Sequence, residues 1–185
     1  MSEERKNWTK LDDRLLQKTR VFDLRVQRMR SPDESYEDDF FYIQTLDWVN
    51  VIPITPEGDV IFVEQYRHGI NERTLETPGG LVDPGSTPRQ TAEKELAEET
   101  GYSSPRLTLL GTIHPNPAML TNQCHIFLAE NAERTHVQEL EPAEDIILHS
   151  FPLVKIPHMI ASGAISHAVV VAAFFFVRNK LPDLF

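Results

Sequence analysis

Gly79-Gly80-Leu81-Val82-Asp83-Pro84-Gly85, running on to Glu95-Leu96-Ala97-Glu98-Glu99-Thr100-Gly101-Tyr102, is the stretch on which the fold turns. Between its two ends the residues spell a helix. Thr87 suits the N-cap, Pro88 the first helical position, and Gln90 completes a capping box with Thr87. Gly101 suits the position just past the C-terminus. Glu95, Glu98 and Glu99 stand at i, i+3 and i+4, so at about 3.6 residues per turn they share one face. Like charges at these spacings repel, and the C-terminal half of a helix disfavours anions. Read alone, such a trio is a solvated acidic face. Placed here it gains nothing structurally, whereas a hard divalent cation with a preference for oxygen ligands neutralises it.

Outward from this helix the chain alternates between strand and turn signals. Upstream, Val49 to Ile54 and Val60 to Tyr66 read as strands around the turn Pro56-Glu57-Gly58-Asp59, and Leu75 to Pro78 is extended. Downstream, strands are expected at Leu107–Ile113, Cys124–Ala129 and Ile146–Pro152. Two closing helices, at about 153–162 and 166–180, are separated at Ser162-Gly163. Ahead of all this, residues 20–30 alternate apolar and polar side chains, Ser31 to Asp39 reads as a hairpin loop, and Phe40 to Thr45 as the returning strand. Residues 1–45 thus form a small β appendage and residues 46–185 the main domain. The order is α+β, a mixed α/β plan without strict βαβ alternation.

The 185 residues are enough to bury a core, and 41% hydrophobic with 25% charged residues is a globular composition. A net charge of −10 excludes a general nucleic-acid binder, which needs a basic footprint. It leaves room for a small anionic substrate, because bound cations reverse the local field. The lone Cys124 permits no internal disulfide, as suits a reducing compartment. Met1-Ser2-Glu3-Glu4-Arg5 shows no signal peptide, and the longest apolar run, Ala168 to Val177, is about half a membrane span, so a soluble cytoplasmic protein with no membrane partner is expected. The seven histidines show no HExxH-like spacing and so no zinc site.

Gly80, Glu95, Leu96, Glu98, Glu99, Gly101 and Tyr102 stand in the register of the Nudix box, and this segment resembles it. Ser86 and Lys94 depart from the box, which has Glu and Arg at those places. Val63-Glu64-Gln65-Tyr66-Arg67 and Leu75-Glu76-Thr77-Pro78-Gly79 are similar to the ADP-ribose and nucleotide-sugar pyrophosphatase branch of that family. The resemblance covers most of residues 20–180 and implies a Nudix-type α-β-α sandwich. It also implies a homodimer in which the appendage of one subunit covers the other's site.

The same resemblance implies Mg²⁺, with Mn²⁺ as a substitute. Glu95, Glu98, Glu99 and the carbonyl of Gly79 would be its ligands, and Arg67 and Glu76 would bind the substrate. The general base in this branch comes from a loop after the box, and Glu141 and Glu144 in Glu139-Leu140-Glu141-Pro142-Ala143-Glu144-Asp145 are the candidates, with Glu98 next. The expected reaction is hydrolysis of the diphosphate of ADP-ribose or a nucleoside diphosphate sugar, giving a nucleoside monophosphate and a sugar phosphate. The alternatives are a Nudix hydrolase of a dinucleoside polyphosphate, a non-catalytic nucleotide sensor suggested by Ser86 and Lys94, and an interaction domain using the acidic surface alone.

Overall fold

A computed structural model describes residues 7–184; the reading of the first five residues lies outside them. In chain order the strands are β1 (Thr9–Lys18), β2 (Asp23–Arg30), β3 (Glu37–Gln44), β4 (Trp48–Ile54), β5 (Asp59–Arg67), β6 (Glu72–Glu76), β7 (Tyr102–Ser103), β8 (Arg106–Ile113), β9 (Cys124–Glu130), β10 (Glu133–Arg134) and β11 (Ile147–Pro152). The helices are α1 (Pro88–Thr100), α2 (Ile156–Ala161), which follows a 3-10 turn at Leu153–Lys155, and α3 (Ala168–Lys180). The chain divides into two compact units, one reaching to Leu46 and including His114–Asn122, the other holding Asp47–Ile113 and Gln123 onward.

The smaller unit is an antiparallel sheet in the order β1-β2-β3. β2 and β3 pair without a break from Asp23 opposite Gln44 to Arg30 opposite Glu37. Their turn is held by Asp33, whose carboxylate accepts from the hydroxyls of Ser31 and Ser35 and sits at a pKa of about 2 because of those bonds. β1 is not legible as a strand in the sequence. Its pairing with β2 slips between Lys10 and Asp12 and again between Leu15 and Gln17. Each irregularity resets the two-residue period, so apolar and polar positions cease to alternate. The segment His114–Asn122 joins this unit through a parallel bridge between Ile43 and Leu120.

The larger unit is built on a mixed sheet in the order β11-β5-β4-β9-β8, with β6 also paired to β5. β4 and β9 run parallel at its centre, Trp48 opposite Cys124 through Ile54 opposite Glu130. Both are buried on both faces, which is why they read as near-continuous apolar runs. Alternation sorts their side chains. Ile52, Ile54, Ile126 and Leu128 join a core with Ile156 of α2 and Val170, Phe174 and Val177 of α3. Val49, Val51, Phe127 and Ala129 join a second core with Ala92 and Leu96 of α1. The sheet is therefore sandwiched between α1 and the α2–α3 pair, the α-β-α arrangement expected from the sequence.

Phe62 on β5 is fully buried in the first core, its ring stacked 5.8 Å from Phe174 and edge-on 5.9 Å from Phe151. Truncating it removes both contacts and leaves a cavity among residues fixed by the sheet. Phe62→Ala is expected to lower unfolding free energy by about 3–5 kcal/mol, measured by urea denaturation.

Candidate active site

The site begins with a strand segment that has little freedom. Val51 donates to the carbonyl of Pro78 at 2.8 Å, Val49 to that of Gly80 at 2.9 Å, and Val82 to that of Asp47 at 2.8 Å. Buried Asn50 and Thr77 exchange two more bonds, at 3.3 and 3.0 Å. Residues 77–82 are thus zipped onto β4 and its approach. In extended chain a residue's N–H and C=O project to the same side, and the next residue's to the other. With Pro78 and Gly80 facing β4, Gly79 presents both groups away from it. Its N–H donates to Oε2 of Glu99 at 2.9 Å, and among the described residues no donor reaches its carbonyl.

Both glycines are required, for different reasons. A Cβ on Gly79 would run into the backbone carbonyl of Val49. A Cβ on Gly80 would lie 2.5 Å from Oε1 of Glu95. The carboxylates of Glu95 and Glu99 therefore lean against bare backbone.

α1 carries those carboxylates. Its start is capped as expected, with the Gln90 N–H donating to the Thr87 hydroxyl oxygen at 3.3 Å and the Thr87 N–H donating to Oε1 of Gln90 at 3.0 Å. Gly101 closes it in the left-handed region at φ 74°, and the last turn contains no basic residue. Glu99 is 4% exposed, and burial pushes its pKa up to about 8; the Gly79 N–H opposes this, while Glu95 and Glu144 add to it. Burial likewise pushes Glu95 up to about 7, opposed by Lys94 and reinforced by Glu98, Glu144 and Asp83. Glu98 stands apart from this pair, its carboxylate 3.4 Å from Lys94 Nζ on the helix surface. Ser86 lies in a turn, its N–H donating to the Asp83 carbonyl at 3.0 Å. The field of Asp83 reaches both Lys94 and Glu95, an acid near the box that sequence spacing gave no reason to single out.

Arg67, at the end of β5, grips Glu76 at the end of β6 through two bonds of 2.6 and 2.7 Å, and Thr74 adds a third to the same carboxylate at 2.6 Å. Nε2 of His167 lies 3.7 Å from it. Glu76 is only 3% exposed; burial raises its pKa, but the bonds from Arg67 and Thr74 outweigh burial and hold it below its ordinary range. Both its oxygens are engaged, so its geometry suits orienting Arg67 more than touching a substrate. Arg67 itself is half-exposed and feels the charge of Glu99. Of the loop acids, Glu144 lies in the field of both Glu95 and Glu99. Glu141 is exposed, and it is its backbone that meets Glu144, with the Glu141 N–H donating to Oε2 of Glu144 at 2.8 Å and the Glu144 N–H to its carbonyl at 2.9 Å.

Two carboxylates and a free carbonyl make an oxygen-only donor set, which fits a hard divalent cation. Among the described residues no three acidic, imidazole or thiol groups stand together so as to hold an ion by themselves.

A mixed sheet lies between helices, and α1 presents one half-buried and one buried carboxylate to a glycine strand. The chain belongs to the NUDIX family, whose domain model matches residues 46–174. It is 38% identical over 82 residues to the ADP-ribose pyrophosphatase of Bacillus subtilis, a match covering 44% of this chain and 44% of that one. It is 27% identical over 133 residues to the ADP compounds hydrolase NudE of Escherichia coli, covering 72% and 70%. A crystal structure of an ADP compounds hydrolase superposes with a TM-score of 0.88 at 23% identity, covering 98% of both chains, and so shares the fold. No helix among the described residues is long and apolar enough to cross a membrane.

The two glycines separate stability from site geometry. Gly79→Ala meets backbone and is expected to cost about 1–3 kcal/mol. Gly80→Ala meets only the end of a side chain; it is expected to leave the melting temperature nearly unchanged while weakening Mn²⁺ binding, read by titration calorimetry. A second expectation concerns pH. The folded pKa values of Glu95 and Glu99 lie above the ordinary 4.5, so the native state binds more protons than the unfolded chain across the interval from 4.5 to about 8. In cation-free protein, stability should fall as pH rises through that window, and Glu99→Gln should flatten the slope. Thermal melts in chelator between pH 5 and 8.5 check this.

Proposed function

We propose that this protein hydrolyses the diphosphate bond of ADP-ribose or a related nucleoside diphosphate sugar, and that Mg²⁺ is its cation. The observation that carries the reading is the pairing of half-buried Glu95 and buried Glu99 against Gly80 and Gly79, with Glu144 in the same field. The names of the ADP-ribose pyrophosphatase and ADP compounds hydrolase relatives support the choice of substrate. Glu95, Glu99 and the Gly79 carbonyl would hold the cation, which when bound neutralises phosphate charge and makes phosphorus more electrophilic.

The protein's own groups have separate tasks. Arg67 spends Nε and Nη2 on Glu76, which leaves Nη1 for a phosphate oxygen. Glu144 has one oxygen tied to the Glu141 N–H and the other available to take a proton from water. As that water attacks one phosphorus, the bond to the bridging oxygen breaks, and ADP-ribose plus water gives AMP and ribose 5-phosphate. Glu98, paired with Lys94, is an outer member of the site and the next candidate for proton transfer after Glu144 and Glu141.

The protein would act as a homodimer. The three-stranded unit leaves Trp8, Leu11, Leu15, Phe40 and Phe41 substantially exposed, an apolar surface suited to a second copy of the chain. A cytoplasmic location suits the single buried thiol of Cys124.

A panel of ADP-ribose, nucleotide sugars and dinucleoside polyphosphates incubated with Mg²⁺, with products separated by chromatography, tests the function. AMP and ribose 5-phosphate are the expected products, and binding of every compound without turnover would establish the sensor reading raised by Ser86 and Lys94. Glu99→Gln should reduce kcat by about 10²-fold or more at saturating Mg²⁺ without loss of fold. Glu144→Gln should also lose turnover while retaining KM. Light scattering should give twice the 21.2 kDa chain mass, and a value at 21.2 kDa would refute the dimer.

A further inference from the structure

The C-terminal end of α1 leaves backbone carbonyls without partners inside the helix. Thr100 Oγ1 takes that of Leu96, and the Gly101 N–H takes that of Ala97 at 2.8 Å. Every remaining donor comes from one loop. Thr135 and His136 N–H groups reach the Gly101 carbonyl at 3.0 and 2.9 Å, the Glu139 N–H reaches Glu98 at 2.9 Å, and Nε2 of Gln138 reaches Glu99 at 2.6 Å. Of these four loop bonds the Gln138 one alone is made by a side chain, and it is partly buried.

Beyond Glu139 the same loop turns through Glu141 and Glu144 and reaches Asp145. There Arg73 of β6 holds the carboxylate at 2.8 and 2.9 Å while its Nε bonds Glu64 at 3.1 Å. The Asp145 side chain is 74% exposed, and ion pairs at such places contribute little. The firmer anchor of the loop is therefore its attachment to α1. Glu99 is held from two directions, its carboxylate by the Gly79 N–H and its carbonyl by Gln138.

We propose that Gln138 is a positioning residue, which sets the Glu144 loop against the carboxylate-bearing end of α1 by donating its amide to the Glu99 carbonyl. The proposal rests on Glu144 as the proton acceptor. The bond is short, sits at a helix end whose own last turn carries no basic residue, and joins the two halves of the site at the residue they share. Displacing a reacting group by about 1 Å is enough to cost up to about 10²-fold in rate.

Gln138→Met keeps length and bulk but removes the donor. In the full chain with Mg²⁺ and ADP-ribose, kcat is expected to fall about tenfold with KM within about twofold, the signature of an interaction used in the transition state. Mn²⁺ affinity should be unchanged and the acidic limb of the pH–rate profile displaced. Gln138→Lys, which restores a donor to the carbonyl, should recover most of the loss. In a Glu144→Gln background Gln138→Met should cost nothing further, because its effect passes through Glu144. Should Gln138→Met melt early, Gln138→Asn, an amide one methylene short, gives the same comparison. Loss in Glu144→Gln beside parent kcat and pH profile in Gln138→Met overturns this proposal alone. An equal loss on adding Gln138→Met to Glu144→Gln also overturns it. Parent turnover in Glu144→Gln overturns the assignment of the proton acceptor, and the route through Gln138 with it.

Discussion

A buried glutamate bonded to a glycine N–H is the contact around which this protein is arranged. Glu99 is almost without solvent, and a carboxylate in that position is costly unless something donates to it. The donor is the backbone of Gly79, aimed at the helix because its neighbours on either side are bonded to β4. No other residue type fits, since a side chain on Gly79 would occupy the carbonyl of Val49. One bond thus links the central sheet, the glycine strand and α1.

The electrostatics follow from that placement. α1 ends in three glutamates with no basic residue in its last turn, in a chain that is already strongly acidic. The helix is stable in spite of them because Ala92 and Leu96 are sealed against Val49, Val51 and Phe127. The loop at residues 135–139 then supplies donors to the exposed carbonyls. Burial of Glu95 and Glu99 outweighs what the Gly79 N–H and Lys94 offer them, and both pKa values rise accordingly. Lys94 pairs directly with the outermost acid, Glu98, and only its longer-range field reaches Glu95. A lysine there contributes charge without the bidentate fork an arginine would bring.

Arg67 and Glu76 form one ion pair but sit at different depths. Glu76 is deep enough to need full compensation, and Arg67 and Thr74 provide it. The guanidinium is thereby fixed in plane, with part of its surface outward and within the field of Glu99. The two residues read alike in sequence, as polar groups at strand ends, and only burial distinguishes them.

The capped helix, its acidic face and the buried strands were all determined by the sequence, because each is written in local periodicity and composition. So was the family, since the box residues keep a fixed spacing along one helix. β1 was hidden because two register slips break the alternation that identifies strands. The tertiary structure alone decided the division of labour within the acid trio, drawing Glu95 and Glu99 to the glycines and leaving Glu98 to Lys94. It alone brought the charge of Glu144 within reach of Glu95 and Glu99 and bonded its carboxylate to the Glu141 backbone. Gln138 carries no local signal whatever. Its importance depends on a carbonyl thirty-nine residues earlier in the chain, a separation that only folding removes.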